Sequence, residues 1–407
     1  MGQPVRKNIK EIHSDLISEP PITTLLIDGN SLLFMCFRDD KVTQDGIHYG
    51  AVYQFLLQVR KMMEHKNFDY VYAFFDSTYS GWLRWNLYNE YKANRDKKYD
   101  EYGLSDYMRG LLADERNMLA YFKRKQARKA KKEADAAVPE NEKSKSQKYK
   151  EFIDSNFDRE RDILCSMFND LYIRWNIDEV TEGDDQIAYY CLHKKPNERI
   201  VIMSGDMDLT QLLADDIIIY NLGIKDFVTI KNFKEKFGYY YENTLVKKIF
   251  SGDVSDNIGN IKGLTEEGFF NLMPEAYERK VTVEEVKEKA QKLINERKEN
   301  KKKPLQVHEN IINGVSNKEY NGDFYEINKK IIDLKHPLLS DEAVETMENM
   351  MYAPMSPEGR SYQNLYKKII HFGIQELIGD TKFAEFFSLY KRLEKKELNR
   401  LEENQKK

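Results

Sequence analysis

Acidic residues stand at or just beyond the ends of short apolar runs at several places in this chain, and this pairing constrains the fold more than any other feature. Runs rich in β-branched and aromatic residues are typical of buried strands, so most of the acids are expected at strand ends. The pattern occurs in TTLLIDGN (Asp28), VYAFFDS (Asp76), TEGDDQIA (Glu182, Asp184, Asp185), VIMSGDMDLTQLL (Asp206, Asp208) and FSGDVSDNIGNIKG (Asp253, Asp256).

Strands that lie side by side in one sheet would direct these carboxylates at one another. Like charges at short range repel and unpaired buried charges are costly, so such a cluster requires a cation. The motifs contain no Cys or His, and a donor set of oxygen atoms favours hard ions such as Mg²⁺ or Mn²⁺. An acidic site that holds two such ions is a common arrangement for the hydrolysis of phosphodiesters.

Each motif, taken singly, has a simpler interpretation. Asp28 and Asp76 are ordinary residues for a helix cap or a turn after a strand. Glu182, Asp184 and Asp185 would stabilise the N-terminus of a helix through their negative charge, although that explains one acid better than three. The repetition of a strand followed by an acid favours one shared metal site.

Strands and helices alternate in the first part of the chain, which predicts an α/β fold with a central, mainly parallel, twisted sheet flanked by helices. Ligands of such sheets bind beyond the carboxyl ends of the strands, where the acids lie. The strands are expected at residues 23–27, 71–75, 199–203, 217–220 and 227–229, and helices at 49–65, 184–193 and 209–213.

The remaining segments differ in composition from this sheet domain. Residues 121–150 hold 11 Lys or Arg and 4 Asp or Glu, and a helix that is polar on all sides does not pack in a core. The predicted organisation is an N-terminal extension at 1–22, an α/β domain at 23–240 with a charged helical insertion at about 92–158, a further short element at 241–275 and a helical C-terminal region at 276–407.

Composition excludes several other classes of protein. The three cysteines are widely spaced and give neither a zinc pattern nor a disulfide framework, which favours a reducing compartment. The chain has no apolar run long enough to cross a membrane, and residues 1–22 lack the apolar core of a signal peptide. We expect a monomeric cytoplasmic protein without a membrane partner. The net charge of −4 does not by itself indicate a nucleic-acid-binding protein.

The ordered motifs IDGN, FFDS, YKANR, EGDD, SGDMDLTQL and GDVSDNIGNIKG resemble those of the flap endonuclease and 5′→3′ exonuclease superfamily over residues 23–270. The superfamily includes the 5′-nuclease domains of bacterial DNA polymerase I and the phage-type ribonucleases H, and the length and helical tail are closest to the latter. The resemblance implies a PIN-like fold and metal-dependent cleavage of 5′ flaps or RNA primers near junctions of single and double strands. It also implies a phage protein that acts on DNA and RNA–DNA hybrids in the host cytoplasm during replication.

The same resemblance assigns roles to individual residues. It implies two Mg²⁺ ions, for which Mn²⁺ would substitute, and basic residues at the foot of a helical arch that admits the 5′ single strand. The ligands that the resemblance implies for the first ion are Asp28, Asp76, Glu182, Asp184 and Asp206, and those for the second ion are Asp185, Asp208, Asp253 and Asp256. The implied basic residues are Arg84, Lys92 and Arg95.

Residues 255–270 resemble the helix–hairpin–helix element with which the superfamily grips duplex DNA. The superfamily pattern is close to GIGxKTA, whereas this chain has GLTEEGF, with Glu266 and Glu267 where a lysine is usual. The two glutamates weaken the expected phosphate contact and argue against the K⁺ site that the element usually holds. The C-terminal helices are where a single-strand-binding protein or a sliding clamp would bind, although FAEFFSLY (Phe383, Phe386, Phe387) is more typical of a packed helix face.

Other functions remain open from the sequence. A PIN-type ribonuclease would share the sheet and the acids but would act on single-stranded RNA, and it would explain neither GDVSDN nor the basic insertion. A non-catalytic, structure-specific DNA-binding protein would be expected to have lost some of the acids. A structural Ca²⁺ site in an interaction protein is a further alternative.

Overall fold

The computed structural model describes residues 21–38, 41–93, 144–377 and 386–405. Most of the predicted insertion at 92–158 and nearly all of the extension at 1–22 lie outside these ranges. Among the described residues, none of the helices has the length and apolar content needed to cross a bilayer.

Six strands form one sheet in the order β3-β2-β1-β4-β5-β6. Neighbouring strands from β3 to β5 run parallel, and only β6 is antiparallel to its neighbour β5. The mainly parallel α/β fold predicted from the sequence is therefore confirmed. The strands are β1 Ile22–Asp28, β2 Tyr70–Asp76, β3 Arg174–Asp178, β4 Glu198–Ser204, β5 Ile217–Asn221 and β6 Asp226–Val228.

The sequence analysis did not predict β3, whose sequence is RWNID. This strand lies at an edge of the sheet, and four of its five residues are only partly buried. An edge strand of this kind needs few apolar residues, so it lacks the apolar run that identifies β1, β2 and β4.

Fourteen α-helices accompany the sheet in the described residues. They are α1 Gly29–Cys36, α2 Gly50–His65, α3 Trp82–Leu87, α4 Lys145–Phe168, α5 Gly183–Leu192, α6 Phe233–Phe237, α7 Thr244–Ser251, α8 Glu266–Leu272, α9 Val283–Glu299, α10 Gln306–Asn313, α11 Phe324–Ile332, α12 Asp341–Met350, α13 Tyr362–His371 and α14 Tyr390–Gln405.

Alternate strand residues supply two cores, one on each face of the sheet. Leu26, Phe74 and Ile202 belong to a first core that includes buried residues of α5 and of α7 to α12. Leu25 and Ile27 belong to a second core with α1, α2, α4, α13 and α14. Helices of the C-terminal region thus share both cores with the sheet. Because the strands are buried on both faces, the sheet is a rigid base for side chains at its carboxyl edge.

Candidate metal centre

A cavity of about 570 Å³ lies beyond the carboxyl ends of β1, β2 and β4. The carboxyl ends of neighbouring parallel strands meet at one edge of a sheet, which brings together acids that are far apart in the sequence. Asp28 is level with Phe74 of β2, two residues before Asp76. Seven of the nine predicted acids line the cavity, namely Asp28, Asp76, Glu182, Asp184, Asp206, Asp208 and Asp256.

Asp28 is fixed by hydrogen bonds to both of its carboxylate oxygens. It is the N-cap of α1, where Oδ1 accepts a hydrogen bond from the Ser31 amide at 2.9 Å. Its Oδ2 accepts a hydrogen bond from the Ser204 hydroxyl at 2.6 Å, and Ser204 Oγ in turn accepts one from the Asp206 amide at 2.9 Å. The capping interpretation of Asp28 is therefore correct, and the same bonds hold the acid at the cavity.

Asp76 and the start of α5 are joined through a backbone contact. Asp76 Oδ1 accepts a hydrogen bond from the amide of Gly183 at 2.8 Å. A Cβ atom at Gly183 would lie 3.4 Å from the Phe74 carbonyl oxygen, which is an ordinary contact, so alanine would also fit at this position. Glu182 and Asp184, on either side of Gly183, both reach the cavity.

Burial and neighbouring negative charge raise the pKa values of two of the acids, Asp28 and Asp184. Burial, opposed by hydrogen bonds and reinforced by the charges of Asp206 and Asp76, raises the pKa of Asp28 to about 7. Burial and neighbouring carboxylates, of which Asp28 acts most strongly, raise the pKa of Asp184 well above its usual value. Removal of so many carboxylates from water is favourable only when positive charge joins them. The site therefore fits hard divalent ions, with oxygen ligands and no competing Cys or His.

A second group of acids lies beside the first. Ligand oxygens of Asp208, Asp253 and Asp256 all lie within 4.8 Å of one another. Asp253 does not line the cavity, and the ammonium group of Lys248 pairs with Asp208 and lies 2.5 Å from Asp253 Oδ2. Burial acts to raise the pKa of Asp253, but Lys248 and Ser255 outweigh it and bring that pKa to about 2.

Sequence reasoning missed Lys248. Burial acts to lower its pKa, but the two acids outweigh burial and raise it. The sequence signal that could have identified Lys248 is its position in the last turn of α7, five residues before Asp253. A cation is favourable at the C-terminus of a helix.

Lys92 lines the cavity and contacts the acid cluster. Its ammonium group pairs with Glu182 Oε1, and its side chain is nearly buried. Its backbone has a φ of 51°, and its amide donates a hydrogen bond to the Asp256 carbonyl oxygen at 2.7 Å. Tyr91, which the sequence analysis did not single out, donates a hydrogen bond to Glu182 Oε2 at 2.8 Å. These contacts place a cation and a hydroxyl group at the wall of the cavity.

Arg84 and Asp185 form a buried ion pair at the start of α5. Both are buried, and the guanidinium group of Arg84 pairs with both carboxylate oxygens of Asp185. Arg84 also contacts Glu182 Oε2 at 2.8 Å and donates from Nε to the Ile331 carbonyl oxygen at 2.8 Å. Asp185 does not line the cavity. Arg84 itself lines the cavity, and its contacts tie the start of α5 to α11.

Comparison with protein families supports the resemblance drawn from the motifs. Residues 23–153 match the sequence model of the 5′-3′ exonuclease N-terminal resolvase-like domain. The resemblance to 5′→3′ exonucleases is confirmed. A DNA polymerase I of Bacillus subtilis is 27% identical over 288 residues, which are 68% of this chain and 26% of that protein. A 5′-3′ exonuclease of Mycoplasmopsis pulmonis is 25% identical over 251 residues, 61% of this chain and 65% of that protein.

The chain spans about a quarter of the length of the DNA polymerase I relatives that it matches. Among solved structures, a pseudo-enzyme–product complex of bacteriophage T5 flap endonuclease with DNA and metal ions has a TM-score of 0.51 at 14% identity. The match covers 86% of this chain and 99% of the T5 chain. The T5 5′-exonuclease with bound zinc has a TM-score of 0.50 at 15% identity, over 86% of this chain and 98% of that one. These two matches support the fold predicted for an exonuclease-like chain.

The hairpin of this exonuclease-like chain joins α7 to α8. Gly252 begins it with a φ of 67°, and a Cβ atom there would lie 2.6 Å from the Ile258 carbonyl oxygen, so only glycine fits. Asp253 and Ile258 form an antiparallel bridge. Thr265 caps α8, and Glu266 pairs with Lys247 at 2.9 Å. The loop is thus rigid, and it presents Asp256 to the cavity.

Arg95 and Phe383 lie outside the described residues. The predicted phosphate contact of Arg95 and the predicted packing of Phe383 therefore stay predictions. Phe386 and Phe387 are both buried in the second core, as expected for a packed helix face.

Proposed function

We propose that this protein is a divalent-metal-dependent, structure-specific 5′→3′ nuclease that hydrolyses phosphodiesters near junctions of single and double strands. The observation that carries the proposal is the convergence of seven acids and Lys92 on one cavity at the carboxyl edge of the sheet. The resemblance to 5′→3′ exonucleases supports the direction of cleavage. The substrates are 5′ flaps on DNA and RNA primers in RNA–DNA hybrids. Cleavage of the RNA primers is a ribonuclease H activity. The protein acts in the cytoplasm during replication.

We assign the acids to two metal ions according to which acids lie close together. Asp28, Asp76, Glu182, Asp184 and Asp206 are the ligands that we assign to a first Mg²⁺, and Asp208, Asp253 and Asp256 those of a second. Mn²⁺ substitutes for Mg²⁺ because both prefer carboxylate and water oxygens. When bound, the ions supply Lewis acidity that activates water and stabilises the charge that grows on the phosphate oxygens.

Lys92 supplies positive charge beside the reacting phosphate. In the structure its ammonium group pairs with Glu182, and the bond from its amide to the Asp256 carbonyl oxygen holds the side chain over the acids. A charged hydrogen bond from an ammonium group to a phosphate oxygen is stronger than a neutral one, and it needs no proton transfer. Lys92 therefore binds and orients the substrate, while Arg84 keeps Glu182 and the start of α5 in place.

Phe34 fits the same substrate. Its side chain lines the cavity and remains 54% exposed. An exposed aromatic ring beside a phosphate site can stack on a nucleobase without reading its identity.

A single-strand-binding protein or a sliding clamp is the replication partner that we assign to the C-terminal helices.

The test is cleavage of end-labelled 5′-flap, nicked-duplex and RNA–DNA hybrid substrates, with Mg²⁺ or with a chelator. We expect short 5′-phosphorylated products that appear only with metal. A preference for single-stranded RNA would favour the PIN-type ribonuclease, and binding without cleavage would favour the non-catalytic DNA-binding protein. Either result, or cleavage in the presence of the chelator, would contradict the proposal.

A further inference from the structure

The turn between α9 and α10 carries the densest group of basic residues among those that the structure describes in the C-terminal region. The segment from Arg297 to Lys303 has the sequence RKENKKK, with five basic residues and a single acid, Glu299. Lys298, Lys301, Lys302 and Lys303 are exposed. We call these four lysines the basic turn. None of the four has a salt-bridge partner among the described residues, whereas other lysines near α9 pair with acids.

The basic turn has a fixed backbone. Arg297 Nε donates a hydrogen bond to the Lys303 carbonyl oxygen at 2.8 Å, and the Lys302 amide donates one to the Arg297 carbonyl oxygen at 2.8 Å. The Lys301 amide bonds to the Lys298 carbonyl oxygen at 2.9 Å. The ammonium groups therefore project from an ordered loop, which lowers the entropic cost of contact with a ligand.

Helix α10, which follows the basic turn, packs directly on the hairpin loop. The Asn310 amide group donates a hydrogen bond to the Lys262 carbonyl oxygen at 2.8 Å, and the Lys262 amide donates one to the Val315 carbonyl oxygen at 2.9 Å. A Cβ atom at Gly263 would lie 4.0 Å from Val307 Cβ, in the first turn of α10. The basic turn and the hairpin loop thus belong to one side of the molecule.

The chain itself limits the distance from the cavity to the basic turn. Gly263 is seven positions along the chain from Asp256, which lines the cavity, and a fully extended segment of that length spans about 25 Å. Val307 is four positions from Lys303, which adds about 14 Å at most. The basic turn therefore lies within about 45 Å of the cavity, roughly the length of 13 base pairs.

We propose that the basic turn is a second phosphate-binding surface, which contacts the backbone of the duplex on the double-stranded side of the junction. The inference rests on the proposed function, since it takes duplex nucleic acid as the ligand. At the start of α8, Glu266 pairs with Lys247, and Glu267 adds a further negative charge that opposes a phosphate. The four lysines of the basic turn precede the helix that packs on the same loop, and they provide the attraction that α8 lacks, without reading sequence.

The experiment compares a variant with Lys298, Lys301, Lys302 and Lys303 replaced by Gln with the wild-type protein. The control variant carries the same loss of charge on the opposite face of the sheet, at exposed positions of α2 and α14. Its replaced residues are Lys61, Lys391, Arg392 and Lys395. Binding is measured by fluorescence anisotropy in a chelator, between 50 and 300 mM KCl, on a junction with an 18-base-pair duplex and on an 18-nucleotide single strand.

We expect the basic-turn variant to bind the duplex junction roughly tenfold more weakly at moderate salt. The slope of its log affinity against log salt should fall by about three to four, as expected for four lost phosphate contacts. Its affinity for the single strand, and the duplex affinity of the control variant, should stay within twofold of the wild type. Equal losses on duplex and single strand, or no difference between the two variants, would overturn the inference.

Cleavage by the wild-type protein separates this inference from the proposed function. If the wild-type protein cuts the junction with Mg²⁺ and the two variants bind the duplex equally, the basic turn has no such role. If the wild-type protein fails to cut and the basic-turn variant still loses duplex affinity alone, the duplex surface stands while the nuclease proposal fails. Circular dichroism and thermal unfolding of both variants show whether each is folded.

Discussion

Replacement of Arg84 by Met is expected to destabilise the protein strongly even though the side chain lies beside the cavity. Arg84 and Asp185 are almost completely buried, and the guanidinium group pairs with both oxygens of that carboxylate. Removal of one partner leaves a buried charge without compensation, which costs about 3–5 kcal/mol. With a urea dependence of about 3 kcal/mol per molar for a chain of this size, the unfolding midpoint should fall by about 1 M or more.

A double-mutant cycle with Asp185→Leu tests the cause. Because the double variant removes both charges, it should be more stable than the sum of the two single effects predicts, by about 2 kcal/mol or more. Lys234 and Glu278 provide a matched control, since their ion pair has a length of 2.6 Å but both side chains are exposed. Lys234→Met should change the free energy of unfolding by less than about 1 kcal/mol.

The same variants separate a structural role of Asp185 from the metal-binding role that the sequence predicted. We expect Asp185→Asn to lower stability in a chelator, where no metal is bound. If Asp185→Asn left stability in the chelator unchanged and raised only the Mg²⁺ concentration needed for cleavage, the structural role would be refuted.

Three further variants test the roles of single residues at the cavity. Asp206→Asn should abolish cleavage of a 5′ flap with Mg²⁺ while substrate binding stays within a few-fold of the wild type, and full activity would exclude Asp206 from the metal site. Lys92→Ala should lower single-turnover cleavage by tenfold or more with a smaller effect on duplex affinity, whereas an unchanged rate would remove Lys92 from the site. Lys248→Ala should leave Asp208 and Asp253 without their shared cation, so the protein without metal should lose stability and regain most of it on addition of Mg²⁺; equal loss in both conditions would contradict this.

The sequence was sufficient to predict where the acids converge because parallel strands impose it. Asp28 and Asp76 end neighbouring strands and Asp206 follows a third, so the sheet alone brings them together. Apolar runs buried on both faces are a strong sequence signal. The partly buried edge strand β3, by contrast, gave none.

Side-chain direction was less accessible from the sequence. Asp184 and Asp185 are consecutive residues of α5, and consecutive residues of a helix point about 100° apart. In the structure Asp184 lines the cavity, whereas Asp185 is directed toward Arg84. Local spacing does not reveal Arg84 as its partner, because the contact joins residues about a hundred positions apart. Lys248 was missed for a similar reason, since its second partner, Asp208, is 40 residues away.

The most direct test of the metal centre is the anomalous scattering of Mn²⁺ in crystals of the wild-type protein. We expect two peaks roughly 3.5–4 Å apart, one among the oxygens of Asp28, Asp76, Glu182, Asp184 and Asp206 and the other among those of Asp208, Asp253 and Asp256. Absence of any peak in the cavity at saturating Mn²⁺, or peaks that lie only at surface carboxylates elsewhere, would contradict the proposal that these acids hold the catalytic ions.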